Sequence, residues 1–128
     1  MIEDSIRRHA LSSPLIQALI RDRLHLTTKH DSANDYVVLS VINDDTPVDT
    51  HLQDEQSEAL IQFDFYSKKP QVAKDIARAF HTVFQAQRFS DPFVNVQMAI
   101  KQNRISDFES DTSIYRESVD YLFYYNEV

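Results

Sequence analysis

No glycine occurs anywhere in this 128-residue chain, and that absence restricts both its turns and its chemistry. Average usage would supply about nine. Turns must instead come from Asn, Asp, Ser and the four prolines, which tolerate or pre-set turn geometry less freely. Loops that cradle phosphates, in P-loop and dinucleotide-binding proteins alike, need glycine so that the backbone can approach the ligand. The nucleophile elbow of hydrolases needs it in a strained turn. All three classes are excluded. Cysteine is absent too, which removes disulfides, thiolate zinc sites and cysteine nucleophiles and leaves the redox compartment undetermined.

The pattern of apolar residues divides the chain into short elements. Ile2, Ile6 and Ala10 fall four apart and predict a helix over residues 2–11. Ser13 suits an N-cap and Pro14 the first helical position, predicting a second helix over Leu15–Ile20. A brief strand is expected around Arg23–Thr27, and Tyr36–Ile42 (YVVLSVI) is rich in β-branched residues and reads as a strand. In Ala59–Tyr66, Ile61, Phe63 and Phe65 alternate with Gln62 and Asp64, the mark of a half-buried strand.

Pro70–Gln87 carries the stripe Val72, Ile76, Phe80 and Val83 and predicts the main helix. Phe93–Lys101 returns to period two, with Val94, Val96, Met98 and Ile100 expected on one face. A turn is expected at 106–113. The last strand should then place Tyr115, Val119, Tyr121, Phe123 and Tyr125 inward, interrupted by Glu117, with Arg116, Leu122 and Tyr124 on its other face. The order α-α-β-β-α-β-β predicts one α+β domain: a mostly antiparallel, four-to-five-stranded sheet with helices packed on one face. At this length a chain buries roughly two thirds of its unfolded surface, so a core needs no metal or disulfide.

Charge is acidic, with a net of −7. Holding DNA or RNA by phosphate neutralisation needs clustered Lys and Arg, so nucleic-acid binding is not expected. The acid is concentrated in Asn43–Ser57, where Asp44, Asp45, Asp49, Asp54 and Glu55 stand with no Lys or Arg. No apolar run approaches the roughly 18 residues of a membrane span, and MIEDSIRRHALSS lacks the apolar core of a signal peptide. A soluble cytoplasmic protein is expected.

Specific chemistry finds little support. An acid-x-Lys nuclease site needs a carboxylate two residues before a lysine on one strand. Lys29, Lys68, Lys69, Lys74 and Lys101 are preceded at that spacing by Thr27, Tyr66, Ser67, Val72 and Ala99. A calcium loop beginning at Asp44 and ending at Glu55 fails at Thr46, Val48 and Asp49, the last where the sharp turn needs glycine. His9, His25, His30, His51 and His81 show no HExxH, HxH or HxxH spacing. No metal, cofactor or catalytic residue is therefore assigned. Tyr124 and Arg116 are either sheet-surface residues or interface anchors, since both types are enriched where proteins meet.

The stretch from Asp107 to Asp120 carries a further signal. Asp107, Phe108, Glu109, Asp111, Thr112, Tyr115, Arg116, Ser118, Val119 and Asp120 resemble the carboxyl-terminal signature of phage tail completion proteins. These are the head–tail joining or tail terminator proteins of long-tailed phages and prophages. ALIQFDFYSKKPQVAKDIARAFHTVF resembles that family's strand and long helix. The chain departs from the family in having Ser113, and no glycine, in the turn before the last strand.

The resemblance implies a non-catalytic virion protein. Copies would form a ring, as a hexamer, that caps the tail tube, meets the head connector and lets DNA pass. It would work in the host cytoplasm during assembly and then in the particle. Six copies would carry a charge of about −42, which repels a sliding duplex. Segment 43–57 exceeds a usual hairpin connection and is expected to be mobile in the lone subunit and to order against a neighbour, the tube or the connector. The interface residues expected are Asp44, Asp45, Asp49, His51, Asp54, Glu55, Arg116 and Tyr124. A cellular protein- or ligand-binding α+β module, and a hydrolase using scattered carboxylates, remain the open alternatives.

Overall fold

The computed structural model describes residues 2–26, 35–45, 56–110 and 113–128. Helix α1 (Ile2–Leu11) buries Ile2, Ile6 and Ala10, with Glu3 and Asp4 in its first turn and Arg8 and His9 in its last, the order that the helix dipole favours. Ser13 then caps α2 (Pro14–Ile20), its Oγ accepting the Ile16 N–H at 3.4 Å. Strand β1 (Leu24–Leu26) lies parallel to β2 (Tyr36–Asp45). Strand β3 (Ser57–Ser67), helix α3 (Pro70–Phe84), and strands β4 (Phe89–Ser90), β5 (Val94–Glu109) and β6 (Ile114–Glu127) complete the chain.

The strands form one sheet in the order β1-β2-β3-β6-β5-β4, antiparallel except at the β1–β2 pair. The sheet has six strands, against the four to five expected. The sixth is β4, whose two residues are too few to show any periodicity. The helices and one face of the sheet share a single core, in which Phe63, Phe65, Phe80, Phe84 and Phe123 are all fully buried. Phe80 meets Phe63 and Phe65 edge-on at 5.2 and 5.0 Å, and Phe84 meets Phe123 edge-on at 5.5 Å. These are geometries the aromatic quadrupole favours. On the opposite face a smaller cluster buries Tyr36, Val38 and Tyr66, the two tyrosine rings stacked at 4.7 Å.

Several boundaries move for physical reasons. Helix α3 stops at Phe84 rather than Gln87. Gln85 and Ala86 turn back to the sheet instead: Ala86 N–H donates to the Ala99 carbonyl at 2.8 Å, and Gln85 Oε1 accepts the Lys101 N–H at 2.9 Å. Strand β5 runs well past Lys101 to Glu109, so residues 106–109 are strand where a turn was expected. Irregularities at Val96/Met98 and Lys101/Asn103 break its alternation. Ala99 therefore shares the core with Val94 and Val96, while Met98 is 42% exposed, against the expected stripe of Val94, Val96, Met98 and Ile100.

The acidic connection also shrinks. Asn43–Asp45 continue β2 after an irregularity between Val41 and Asn43, and Ser57 begins β3. On β6, Val119, Tyr121, Phe123 and Tyr125 are buried as expected. Tyr115 is half-buried against Phe108, with ring centroids 4.6 Å apart. Glu117 is buried on the same face and accepts from Arg104 Nε at 3.0 Å and Ser106 Oγ at 2.7 Å.

Candidate functional site

Cross-strand register fixes where the expected interface residues sit. Asp45, Glu58, Tyr124 and Met98 form one row across β2, β3, β6 and β5. Asp44 and Asp45 are exposed at the end of β2. Asp44 Oδ1 accepts a 2.6 Å hydrogen bond from the hydroxyl of buried Tyr125, which ties the acidic end of β2 to the core across β3. Tyr124 is half-buried on the outer face. Arg116 lies far off, about 27 Å along β6 from Tyr124 by strand rise.

Arg116 is occupied within its own hairpin. Its Nη2 pairs with Asp107 Oδ2 at 3.0 Å. Burial would lower its pKa, but the Tyr66 hydroxyl and the charges of Asp64 and Asp107 outweigh that and raise it. The structure thus brings Asp44, Asp45 and Tyr124 to one end of the sheet and places Arg116 at the other. Asp49, His51, Asp54 and Glu55 lie outside the described residues.

A second surface was not expected from the sequence. Lys74, Arg78 and His81 on α3 face Lys101 and Arg104 on β5 across a cavity of about 180 Å³, with Val119 and Tyr121 among its lining residues. The spacing of Lys74, Arg78 and His81 along one helix face is legible in the sequence; that Lys101 and Arg104 lie opposite follows only from the β5–β6 pairing. His81 Nδ1 lies 3.0 Å from the Tyr121 hydroxyl. Burial lowers the His81 pKa, and the Lys101 charge lowers it further. Burial pushes the Tyr121 phenol up to about 12, against a smaller opposing pull from Arg104. The pair is held neutral near pH 7 and surrounded by positive charge.

A second hollow, of about 260 Å³, lies between α1 and β4 and is lined by Ser5, Arg8, His9 and Asp91 among others. Its polar groups serve each other. Arg8 bonds Asp91 at 2.6 Å, and Asp91 Oδ1 accepts the Phe93 and Val94 N–H groups at 2.8 and 2.9 Å. Burial alone would raise the Asp91 pKa, but hydrogen bonds from Arg8, Ser5, Phe93 and Val94 hold it well below the usual carboxylate range. This cluster pins α1 to the start of β5.

Among the described residues, no three His, Asp or Glu side chains gather to hold a metal ion. No described helix is long and apolar enough to cross a membrane.

No family model and no curated protein matches the sequence. Solved structures do match in fold. A chain of the structure described as "Virion of native gene transfer agent (GTA) particle" superposes with a TM-score of 0.68, covering 96% of this chain and 92% of that one at 12% identity. The likeness extends over nearly all of both chains, and at that identity what it shows is a shared fold.

Proposed function

We propose that the chain is a structural component of a phage or phage-like particle, a tail completion protein that caps the tail tube and joins it to the head connector. It acts as a ring, a hexamer by the family resemblance, through which DNA passes. The observation that carries this reading is the end-to-end fold likeness to a chain of a gene transfer agent virion. The residues from Asp107 to Asp120 that resemble the tail completion signature support it: of those the structure describes, Asp107–Glu109 pair with Ile114–Arg116 in the β5–β6 hairpin, and the ladder continues from there to Asp120.

The chain's part in such a junction is mechanical. A continuous aromatic core makes each subunit a rigid block, and the acidic segment 43–57 is the contact made with the tube, the connector or a neighbouring copy. Net negative charge keeps the passing duplex from adhering.

Replacing Asp44, Asp45, Asp49, Asp54 and Glu55 together by Asn or Gln tests the role of that segment in a particle-producing host. The circular dichroism spectrum should stay that of the unaltered protein while head–tail joining fails, leaving separate heads and tails. A normal particle yield from that variant rejects the assignment.

A further inference from the structure

An acidic chain of net charge −7 gathers four cations at the cleft between α3 and β5: Lys74, Arg78, Lys101 and Arg104. Two of them have acids of their own. Arg104 bonds buried Glu117 at 3.0 Å, and Arg78 reaches Asp75 at 3.9 Å. Lys74 and Lys101 form no ion pair among the described residues. His81 is neutral near pH 7 and adds no charge. Four cations less two carboxylates leave an excess of two positive charges, both on lysines. The acids of β5 itself do not balance them: Asp107 and Glu109 stand opposite Arg116 and Ile114, on the other face of the strand.

The two lysines stand toward opposite ends of the cleft. Strands β3 and β5 are both antiparallel to β6 and so run the same way. Helix α3 returns against them, its Phe80 meeting Phe65 and its later Phe84 meeting Phe123. His81 comes level with Lys101 through Tyr121, which bonds the one and pairs in register with the other. Lys74, a full two turns earlier on α3, lies about 10 Å nearer the Arg104 end. Alongside the cleft runs an open strand edge. Among the described residues, the outer side of β5 is met only as far as Lys101: by β4 at Asn95 and Val96, by Ala86 at Ala99 and by Gln85 at Lys101. From 102 to 108 the strand is exposed, and no other described segment pairs with that side. Alternate residues there turn N–H and C=O groups to solvent.

From the unbalanced lysines and the open edge together, we infer that β5 receives an extended acidic segment of a partner protein. The segment pairs with residues 102–108 as a further strand and lays carboxylates, at alternate positions, into the basic cleft. Arg104 and Lys101 stand in register with buried Val119 and Tyr121, on the helix-covered face. In a strand added beside β5, every second side chain points to that same face. Carboxylates two residues apart are about 7 Å apart. One therefore lies beside Arg104 and the next toward Lys101, with Lys74 and Arg78 reaching down from α3. A single small anion would have to draw both lysines to one point. The phosphates of a nucleic acid accept hydrogen bonds only and leave the edge carbonyls unmatched, whereas an extended polypeptide brings both donors and acceptors.

NMR titration of the full chain tests this, the probe being a synthetic peptide of about ten residues that alternates Asp with Thr. Binding should be saturable, weaken as salt is added and shift the amide signals of residues 102–108. The same peptide with Asn for Asp should bind at least about tenfold more weakly. The Asp peptide should lose as much against Lys101→Glu and against Lys74→Glu, both exposed positions, with circular dichroism to show that each variant is folded. Methylating the peptide's backbone nitrogens keeps its charge and removes its donors, and should abolish the shifts along β5. The inference is overturned by no binding up to about millimolar peptide, by Asp and Asn peptides that bind alike, or by lysine reversals without effect. It is also overturned by a methylated peptide that binds as well, since no strand is then added. Inorganic phosphate and a short DNA duplex are titrated alongside; tighter binding of either at the same residues assigns the cleft to phosphate and overturns the inference too. None of these failures touches the virion reading, which is decided by whether the chain is found in particles.

Discussion

Ala86 and Ser113 hold φ at 55° and Arg21 at 54°, in the left-handed region where a Cβ costs roughly 1–2 kcal/mol. A chain without glycine meets that cost wherever the fold demands such a turn. Ser113 stands in the turn before β6, where the resembled family carries glycine. Ala86 stands where the chain leaves α3 so that its N–H can reach Ala99. Ala86→Gly should therefore raise the unfolding free energy in urea by about 1 kcal/mol, the relief exceeding the entropy glycine adds to the unfolded chain. An unchanged or lower value would show that Ala86 is not strained. Of these positions only Ser113 lay in an expected turn. The run Gln85–Gln87 is made of good helix formers, and what ends the helix there is a bond to a strand that comes later in the chain. Glu117 was legible as an interruption of an apolar face, but its partners Arg104 and Ser106 were not, because they sit beyond the second irregularity in β5.

Elements were legible where their period was unbroken. Helices α1, α2 and α3 and strands β2, β3 and β6 all stand close to their expected places, since each shows one apolar face over several residues or, in β2, a run rich in β-branched residues that is buried on both faces. The alternation of β5 is interrupted twice, and β4 has two residues, so neither could be read in full. Strand β4 nonetheless has an energetic part. Its Phe89 ring stacks on His9 of α1 with centroids 3.9 Å apart, and His9 also tilts against Phe84 at 5.7 Å. Burial lowers the His9 pKa below its ordinary 6.5, more than a hydrogen bond to the Val83 backbone raises it. Over the window between the lowered folded value and 6.5, the unfolded chain binds more protons than the folded one. Stability from this site is thus full above about pH 6.5 and falls as pH drops through the folded value. Going from about pH 7 to about pH 5, the unaltered chain should lose more unfolding free energy than His9→Leu does, as measured in urea. Equal losses would mean that His9 titrates as it does in the unfolded chain. His81 acts in the same sense and leaves some pH dependence in the variant.

At the scale of the molecule, the α+β class, the mostly antiparallel sheet and the single helix-covered face follow from the order of periodic segments. The strand order follows from pairing between distant strands, which a linear pattern does not carry. The same pairing explains why half of the electrostatic picture was hidden. The acids of segment 43–57 are contiguous in sequence, whereas the cations of the cleft are gathered from α3 and β5 by the fold. With a net charge of −7, the chain should show no retention of duplex DNA in a mobility-shift assay at physiological salt; retention there would defeat the repelling-wall account. The central claim, that the chain is built into a particle, is tested most directly by quantitative mass spectrometry of purified particles from a host carrying the gene. The account predicts this chain at a fixed, low copy number in intact tailed particles, and separate heads and tails when the gene is deleted. Intact, infectious or DNA-transferring particles that lack the chain would contradict it.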